Sequence, residues 1–293
     1  MADIKQYIKS KRESLSASSI TTYASVLRSL YKKVFGEGDI DFKKFDDTKT
    51  VLDYLADLPP NKRKTILSAL VIITDNKKYR DQMLEDVREY NKEISLQQKS
   101  DAQKESWVET DEIKTALADA KRSADALFKK KTHTPADLQV IQNYIILCML
   151  SGEYIPVRRS KDYCDFKIRN ATENDNYIDG KELVFNSYKT KKTYGQQRIP
   201  LPVKLKNILK KWIDINPTDY LLFDANFNPL SSVKLNQRLN KIFDGKKVGV
   251  NGLRHSIITE KFADVHKKNK EAQAYMEAAG SSGNMLTTYV KDE

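Results

Sequence analysis

Leu183-Val184-Phe185-Asn186-Ser187-Tyr188, followed after a basic turn by Arg198-Ile199-Pro200-Leu201, is the stretch that decides the fold. Short β-branched and aromatic runs bounded by turn residues read as strands, and two in succession read as a hairpin. Working outward, Phe166-Lys167-Ile168 and Tyr177-Ile178 are further strand material, separated by turns rich in Asn, Asp and Gly. On either side of these runs helical period returns. Residues 109–129, 135–150, 203–213, 231–243, 253–263 and 272–278 predict helices, and the second carries Ile141, Ile145, Ile146, Leu147 and Met149, apolar enough for a core. The expected fold is therefore mainly α with a small antiparallel β-sheet set inside a helical domain.

The N-terminal stretch predicts helices only. Residues 16–35 place Ile20, Tyr23, Ala24, Leu27, Leu30, Tyr31 and Phe35 at three- and four-residue steps, with Ser16, Ser18 or Ser19 available as a cap and Gly36 and Gly38 to end the helix. Residues 51–58, 61–74 and 79–94 repeat the pattern between Pro, Gly or Asp/Asn boundaries. Residues 93–107 are polar without a sustained apolar face, as an exposed connector is. The expected division is a helical domain over 1–106 and a mixed α+β domain over 107–293.

The chain has 293 residues, a length that favours two domains, and 51 Lys+Arg against 40 Asp+Glu leave a net charge of +11. Most of the basic excess lies C-terminal to residue 106, which makes a polyanion, nucleic acid first, the expected partner. There is no long apolar run and no apolar core in Met1-Ala2-Asp3-Ile4-Lys5-Gln6, so the expectation is a soluble, intracellular chain with no membrane partner. Two cysteines, Cys148 and Cys164, and three histidines at 133, 255 and 266 cannot build a zinc ribbon, a finger or a disulfide framework. No metal and no cofactor are expected. Lys32, Lys62 and Arg63 lie on outer helix faces of the first domain and read as phosphate contacts, with ordinary solvated faces as the alternative.

Three polar clusters stand out: Val157-Arg158-Arg159-Ser160-Lys161-Asp162-Tyr163 after an apolar helix, Gly252-Leu253-Arg254-His255-Ser256 opening another, and Thr287-Thr288-Tyr289. With the hairpin run Tyr188-Lys189-Thr190-Lys191-Lys192 between the first two, the order is Arg, strand-borne Lys, Arg followed by His, then a late Tyr. That order resembles the tyrosine recombinase (phage integrase) family over nearly the full length of the chain. Its most specific part is Leu253-Arg254-His255-Ser256 paired with Tyr289, and the stretch from Leu15 through Leu30 looks like the start of the family's helical core-binding (SAM-like) domain. The form Ile155-Pro156-Val157-Arg158-Arg159-Ser160-Lys161-Asp162-Tyr163 is more similar to recombinases of eukaryotic viruses, virophages and Crypton-type mobile elements than to those of bacterial chromosomes.

The resemblance implies a site-specific recombinase or integrase that cuts and rejoins duplex DNA without metal or ATP, as a homo-oligomer, a tetramer, on DNA. Arg159 and Arg254 would clamp the non-bridging phosphate oxygens, a task that suits a permanently charged, planar, two-pronged donor. Arg159 is preferred over Arg158 because Asp162 then stands three residues later as the supporting acid. Tyr289 would attack phosphorus and leave a 3′-phosphotyrosyl link. With a phenol pKa of about 10 it gains from nearby cations that favour the phenolate. Lys189 would protonate the leaving 5′-oxygen, with Lys191 or Lys192 as alternatives in the same turn, and Arg158, Lys191 and Lys192 would touch DNA. Two positions depart from the family pattern, because Asn251 and Ser281 stand where imidazoles are usual. Asn251, Ser281, His255 and Asp162 are then the supporting set. A type IB DNA topoisomerase, or a catalytically weakened DNA-binding relative, are the alternatives.

Overall fold

The computed structural model describes residues 4–283 and Thr288. The chain forms two compact units, Met1–Gln98 and Lys99–Glu293.

The first unit holds α1 (Ile4–Lys11), α2 (Ala17–Phe35), a 3-10 turn (Phe42–Asp46), α3 (Thr48–Ala56), α4 (Pro60–Thr74) and α5 (Lys77–Ser95). Helix α2 starts where Ser16 Oγ accepts the Ser19 N–H at 3.1 Å and stops at Gly36, whose φ of +91° a side chain would resist. Its stripe of Ile20, Ala24, Leu27, Leu30 and Tyr31 is buried with Phe45, Val51, Leu55, Leu67, Leu70 and Tyr79. Tyr79 donates its hydroxyl to the Phe45 carbonyl at 2.6 Å, so the buried phenol is not left unpaired. The fully buried Asp86 accepts from the Arg63 fork at 2.6 to 3.0 Å.

The stretch read as a connector is largely helical. Helix α5 runs on to Ser95, and α6 (Asp101–Ser106) belongs to the second unit, so the division falls between Gln98 and Lys99 rather than near Ser106. A capping box, not an apolar face, holds α6: Ser100 Oγ accepts the Gln103 N–H, and Gln103 Oε1 accepts the Ser100 N–H at 2.9 Å.

In the second unit α8 (Pro135–Leu150) is the central helix, buried almost continuously from Ile141. It starts at a second capping box, between Thr134 and Asp137, with Pro135 in its first turn. Helices α7 (Thr110–Leu127), α11 (Val203–Ile215) and α13 (Val250–Ala278) pack on it. Gln142 on α8 uses both ends of its amide on the Phe223 backbone, giving N–H to the carbonyl at 3.0 Å and accepting the N–H at 2.6 Å. Trp212 of α11 donates to the Leu221 carbonyl and stacks on Phe223.

The sheet comprises β1 (Phe166–Lys167), β2 (Asn176–Asp179), β3 (Glu182–Phe185) and β4 (Gln197–Pro200), in that order. Strands β2, β3 and β4 are antiparallel, with Ile178 opposite Leu183 and Val184 opposite Arg198. Strand β1 runs parallel to β2, so the sheet is mixed where an antiparallel one is expected. Residues 168–175 carry the chain back to restart in the same direction, and the free edge of β1 is taken by residues 219–221, through Leu221 N–H to Phe166 O and Ile168 N–H to Asp219 O, both 2.8 Å.

The remaining elements are α9 (Ser160–Cys164), α10 (Lys191–Tyr194) inside the β3–β4 connection, and α12 (Ser232–Ile242). The two helices expected over 253–263 and 272–278 are one, because residues 264–271 contain no Gly or Pro to end α13.

Candidate active site

The chain leaves α8 through Ser151 and Gly152, and this loop is pinned to α13. Gly152 has φ +72°, and a Cβ there would come within 2.7 Å of Ile257 Cγ2 on α13. Lys261 of α13 donates to the Gly152 carbonyl at 2.8 Å, and Arg254 Nε donates to the Val157 carbonyl at 3.0 Å. The anchored loop then delivers Arg158 and Arg159 to the start of α9. Arg159 is the N-cap residue, half-buried, with extended backbone (φ −72°, ψ 155°) and no side-chain hydrogen bond or ion pair among the described residues.

Arg159 and Arg254 lie within electrostatic reach of one another. Burial first, and then the Arg159 charge, push the Arg254 pKa down, against the pull of Asp162 and Tyr163. Two guanidiniums close enough to repel, one of them without a partner among the described residues, concentrate positive charge that a bound anion would relieve. Asp162 is buried; burial pushes its carboxyl pKa up, while Arg158, Arg159 and Arg254 draw it back. Tyr163, wholly buried beneath, donates its hydroxyl to the Met149 carbonyl at 3.1 Å and accepts the Arg158 backbone N–H at 3.3 Å.

Arg158, expected to touch DNA, is instead enclosed. Its Nε donates to Asp162 Oδ2 at 2.8 Å and its Nη1 to Gln197 Oε1 at 2.6 Å. The guanidinium carbon lies 4.0 Å from the Phe185 ring centroid and 4.9 Å from that of Tyr188. Only 12% of the side chain is exposed. Sequence reasoning missed three of these partners, Phe185, Tyr188 and Gln197, together with Asn176. Asn176 Nδ2 donates to Asp162 O and Ser187 O at 3.0 and 2.9 Å, while its Oδ1 accepts the N–H groups of Asn186 and Ser187 at 2.9 and 2.7 Å. An Asn beginning a strand is the only sequence signal it offered.

The β3–β4 connection carries Lys189, Lys191 and Lys192, all exposed, their ammonium groups without a hydrogen-bond or ion-pair partner among the described residues. Tyr188 closes this loop by donating to the Gly195 carbonyl at 2.7 Å, and Gly195 has φ +65°. On α13, Asn251 and His255 are exposed one turn apart, flanking Arg254, and neither side chain makes a hydrogen bond among the described residues. Ser281 follows the end of α13, half-buried, its N–H on the Met276 carbonyl at 2.8 Å. Tyr289 lies outside the described residues.

In the first unit Lys62 is exposed and Lys32 is ion-paired with Glu37, while the Arg63 fork is engaged by Asp86 and makes it a strut of that unit's core. Among the described residues no group of three or more His, Cys, Asp or Glu side chains is placed to hold a metal ion, and no helix is long and apolar enough to cross a membrane. Cys148 and Cys164 are buried, and burial pushes their thiols up to about 12 and about 11.

No protein-family model matches the sequence, and no curated protein matches it. Among solved structures the chain is similar to XerA recombinase, at 14% identity and TM-score 0.35 over 90% of this chain and 85% of that one. It is also similar to a lambda integrase (75–356) dimer bound to a COC′ core site, at 15% identity and TM-score 0.42 over 98% of this chain and 94% of that one.

Proposed function

We propose that this chain is a site-specific recombinase that cleaves and rejoins duplex DNA through a 3′-phosphotyrosyl intermediate. The observation that supports this best is the arginine pair: Arg254 is fastened to the loop that carries Arg159, and Arg159 has no partner of its own among the described residues. A backbone phosphate between them meets two planar donors, and those donors gain strength as negative charge builds on a five-coordinate phosphorus. Tyr289 is the nucleophile. Its oxygen bonds to phosphorus as the P–O5′ bond breaks, the phenolic proton leaves to solvent, and Lys189 gives a proton to the departing oxygen. The new ester retains the bond energy, so rejoining requires no ATP.

Asp162 and His255 support the clamp, the first from beneath and the second from the exposed face of α13. Lys191 and Lys192 are free for DNA backbone contact, as is Lys62 in the helical unit, and protomers assemble as a tetramer on paired sites. Asn251 and Ser281 replace imidazoles, so proton transfer away from Tyr289 falls to water and turnover is slow.

The test is covalent capture on a randomised library of nicked suicide duplexes. Wild type is expected to form an adduct that Tyr289→Phe does not. Adducts from both proteins, or from neither, refute the assignment, and neither with retained duplex binding marks a DNA-binding relative that has lost catalysis. Rapid relaxation of supercoiled plasmid by monomer, without sequence preference, points instead to a topoisomerase.

A further inference from the structure

We infer that Arg158 is a positioning residue that holds the basic hairpin, and Lys189 with it, in register with the turn carrying Arg159; this rests on the phosphotyrosyl reading above. Arg158 touches both ends of the hairpin at once. On the incoming side its face lies against Phe185, the last residue of β3, and against Tyr188, the residue before Lys189. On the outgoing side its Nη1 reaches Gln197, the first residue of β4. Its Nε is fixed on Asp162 of α9, and its own backbone leads directly into Arg159. One guanidinium therefore joins the phosphate-clamp turn to the two ends of the loop that bears the three exposed lysines. Asn176 is a second staple over the same joint, tying the Asp162 carbonyl to Ser187.

The lysines themselves have no anchor. The ammonium groups of Lys189, Lys191 and Lys192 have no ion-pair or hydrogen-bond partner among the described residues, so their placement depends on the loop, and the loop depends on Arg158. A general acid must reach hydrogen-bond distance of the departing oxygen. Loosening Arg158 therefore harms proton delivery more than phosphate binding. A planar, permanently charged fork suits this joint, because it bonds in its plane and stacks on its faces simultaneously.

Exchanging sulfur for the 5′-bridging oxygen separates the two steps. With oxygen, the P–O5′ bond breaks and the oxygen takes a proton from the lysine ammonium. With sulfur, the P–S bond breaks and a thiolate leaves unprotonated, since thiols ionise near a pKa of about 8.5. The duplex that wild type selects from the randomised library is synthesised in both forms, and adduct formation is timed for wild type, Arg158→Met, Gln197→Leu, Lys189→Ala and Arg159→Ala. Arg158→Met is expected to lose about 100-fold on oxygen and to return to within about 10-fold of wild type on sulfur. Gln197→Leu shows a smaller loss with the same recovery, and Arg159→Ala is slow on both. If Arg158→Met does not fold, Gln197→Leu, which leaves the Arg158–Asp162 pair intact, carries the test alone. Equal slowness on both substrates, or no loss in either Arg158→Met or Gln197→Leu, overturns the inference while recovery of Lys189→Ala sustains the phosphotyrosyl reading. Absence of any wild-type adduct overturns that reading and takes the inference with it.

Discussion

Replacing Arg254 by lysine keeps the charge and removes the fork. Arg254 directs Nε at the Val157 carbonyl at 3.0 Å, leaving both Nη groups for a phosphate. A lysine ammonium can serve the carbonyl or the phosphate, not both in these directions. Losing a single carbonyl hydrogen bond alters stability by about 1 kcal/mol. Losing a preorganised donor to the transition state costs roughly 2.7–4 kcal/mol, a factor on the order of 10²–10³ in rate. Arg254→Lys is therefore expected to unfold within about 1 kcal/mol of wild type, to bind duplex with an unchanged salt slope, and to form adduct on the order of 10²–10³ more slowly. Arg254→Ala should in addition lower the salt slope by about 0.9, one phosphate contact. Both tryptophans, Trp107 and Trp212, lie in the second unit, so urea unfolding followed by tryptophan fluorescence reads the unit that was altered. Adduct formation by Arg254→Lys within a few-fold of wild type would refute the clamp. So would a stability loss above about 3 kcal/mol, which would make the residue structural.

Gly152→Ala adds a Cβ 2.7 Å from Ile257 Cγ2 at a φ of +72°; it should lower the stability of the second unit by more than about 1 kcal/mol and slow adduct formation by shifting the Arg159 loop, and wild-type values in both assays would show that the loop is not pinned there. Arg63→Met leaves Asp86 buried without its counter-charge and should cost about 3–5 kcal/mol in far-ultraviolet urea unfolding, whereas Lys62→Ala should change stability by less than about 0.5 kcal/mol; similar losses for the two would remove the distinction between strut and free cation. The Lys130 ammonium, together with the Thr134 N–H, holds Asp137 down at about 2, below its unfolded value, so its contribution is present above the unfolded pKa of about 3.9 and is lost as pH falls through about 2. Asp137→Asn should therefore flatten the acid limb of the stability curve between those values, and an unchanged limb would show that the pairing with Lys130 does not act in solution.

Periodicity and local caps made most of the helices legible. The serine before α2, the glycine after it and the Thr134-Pro135-Asp137 start of α8 are local signals, and the strand runs at 183–188 and 198–201 placed the one hairpin that matters. What stayed hidden has little local signature. The other edge of β1 is taken by residues about fifty positions away, and no local window of sequence contains both partners. The latter half of α13 is solvent-exposed, so an amphipathic stripe is a poor guide to it; the informative sign was the lack of any Gly or Pro to stop it.

The same limit governs the site. Arg158 and Arg159 are identical side chains one position apart, and sequence separates them only by their offset to Asp162. The fold separates them by surroundings: one is enclosed by Asp162, Gln197, Phe185 and Tyr188, and its neighbour has no partner among the described residues. The Lys62-Arg63 pair divides in the same way, one exposed and the other fixed on Asp86. In both pairs the arginine with a buried carboxylate is a strut, and the adjacent cation has no hydrogen-bond or ion-pair partner among the described residues. Counting Arg158 and Arg63 as anion contacts would therefore overstate the salt slope of DNA binding by about 0.9 for each, because both guanidiniums are used internally.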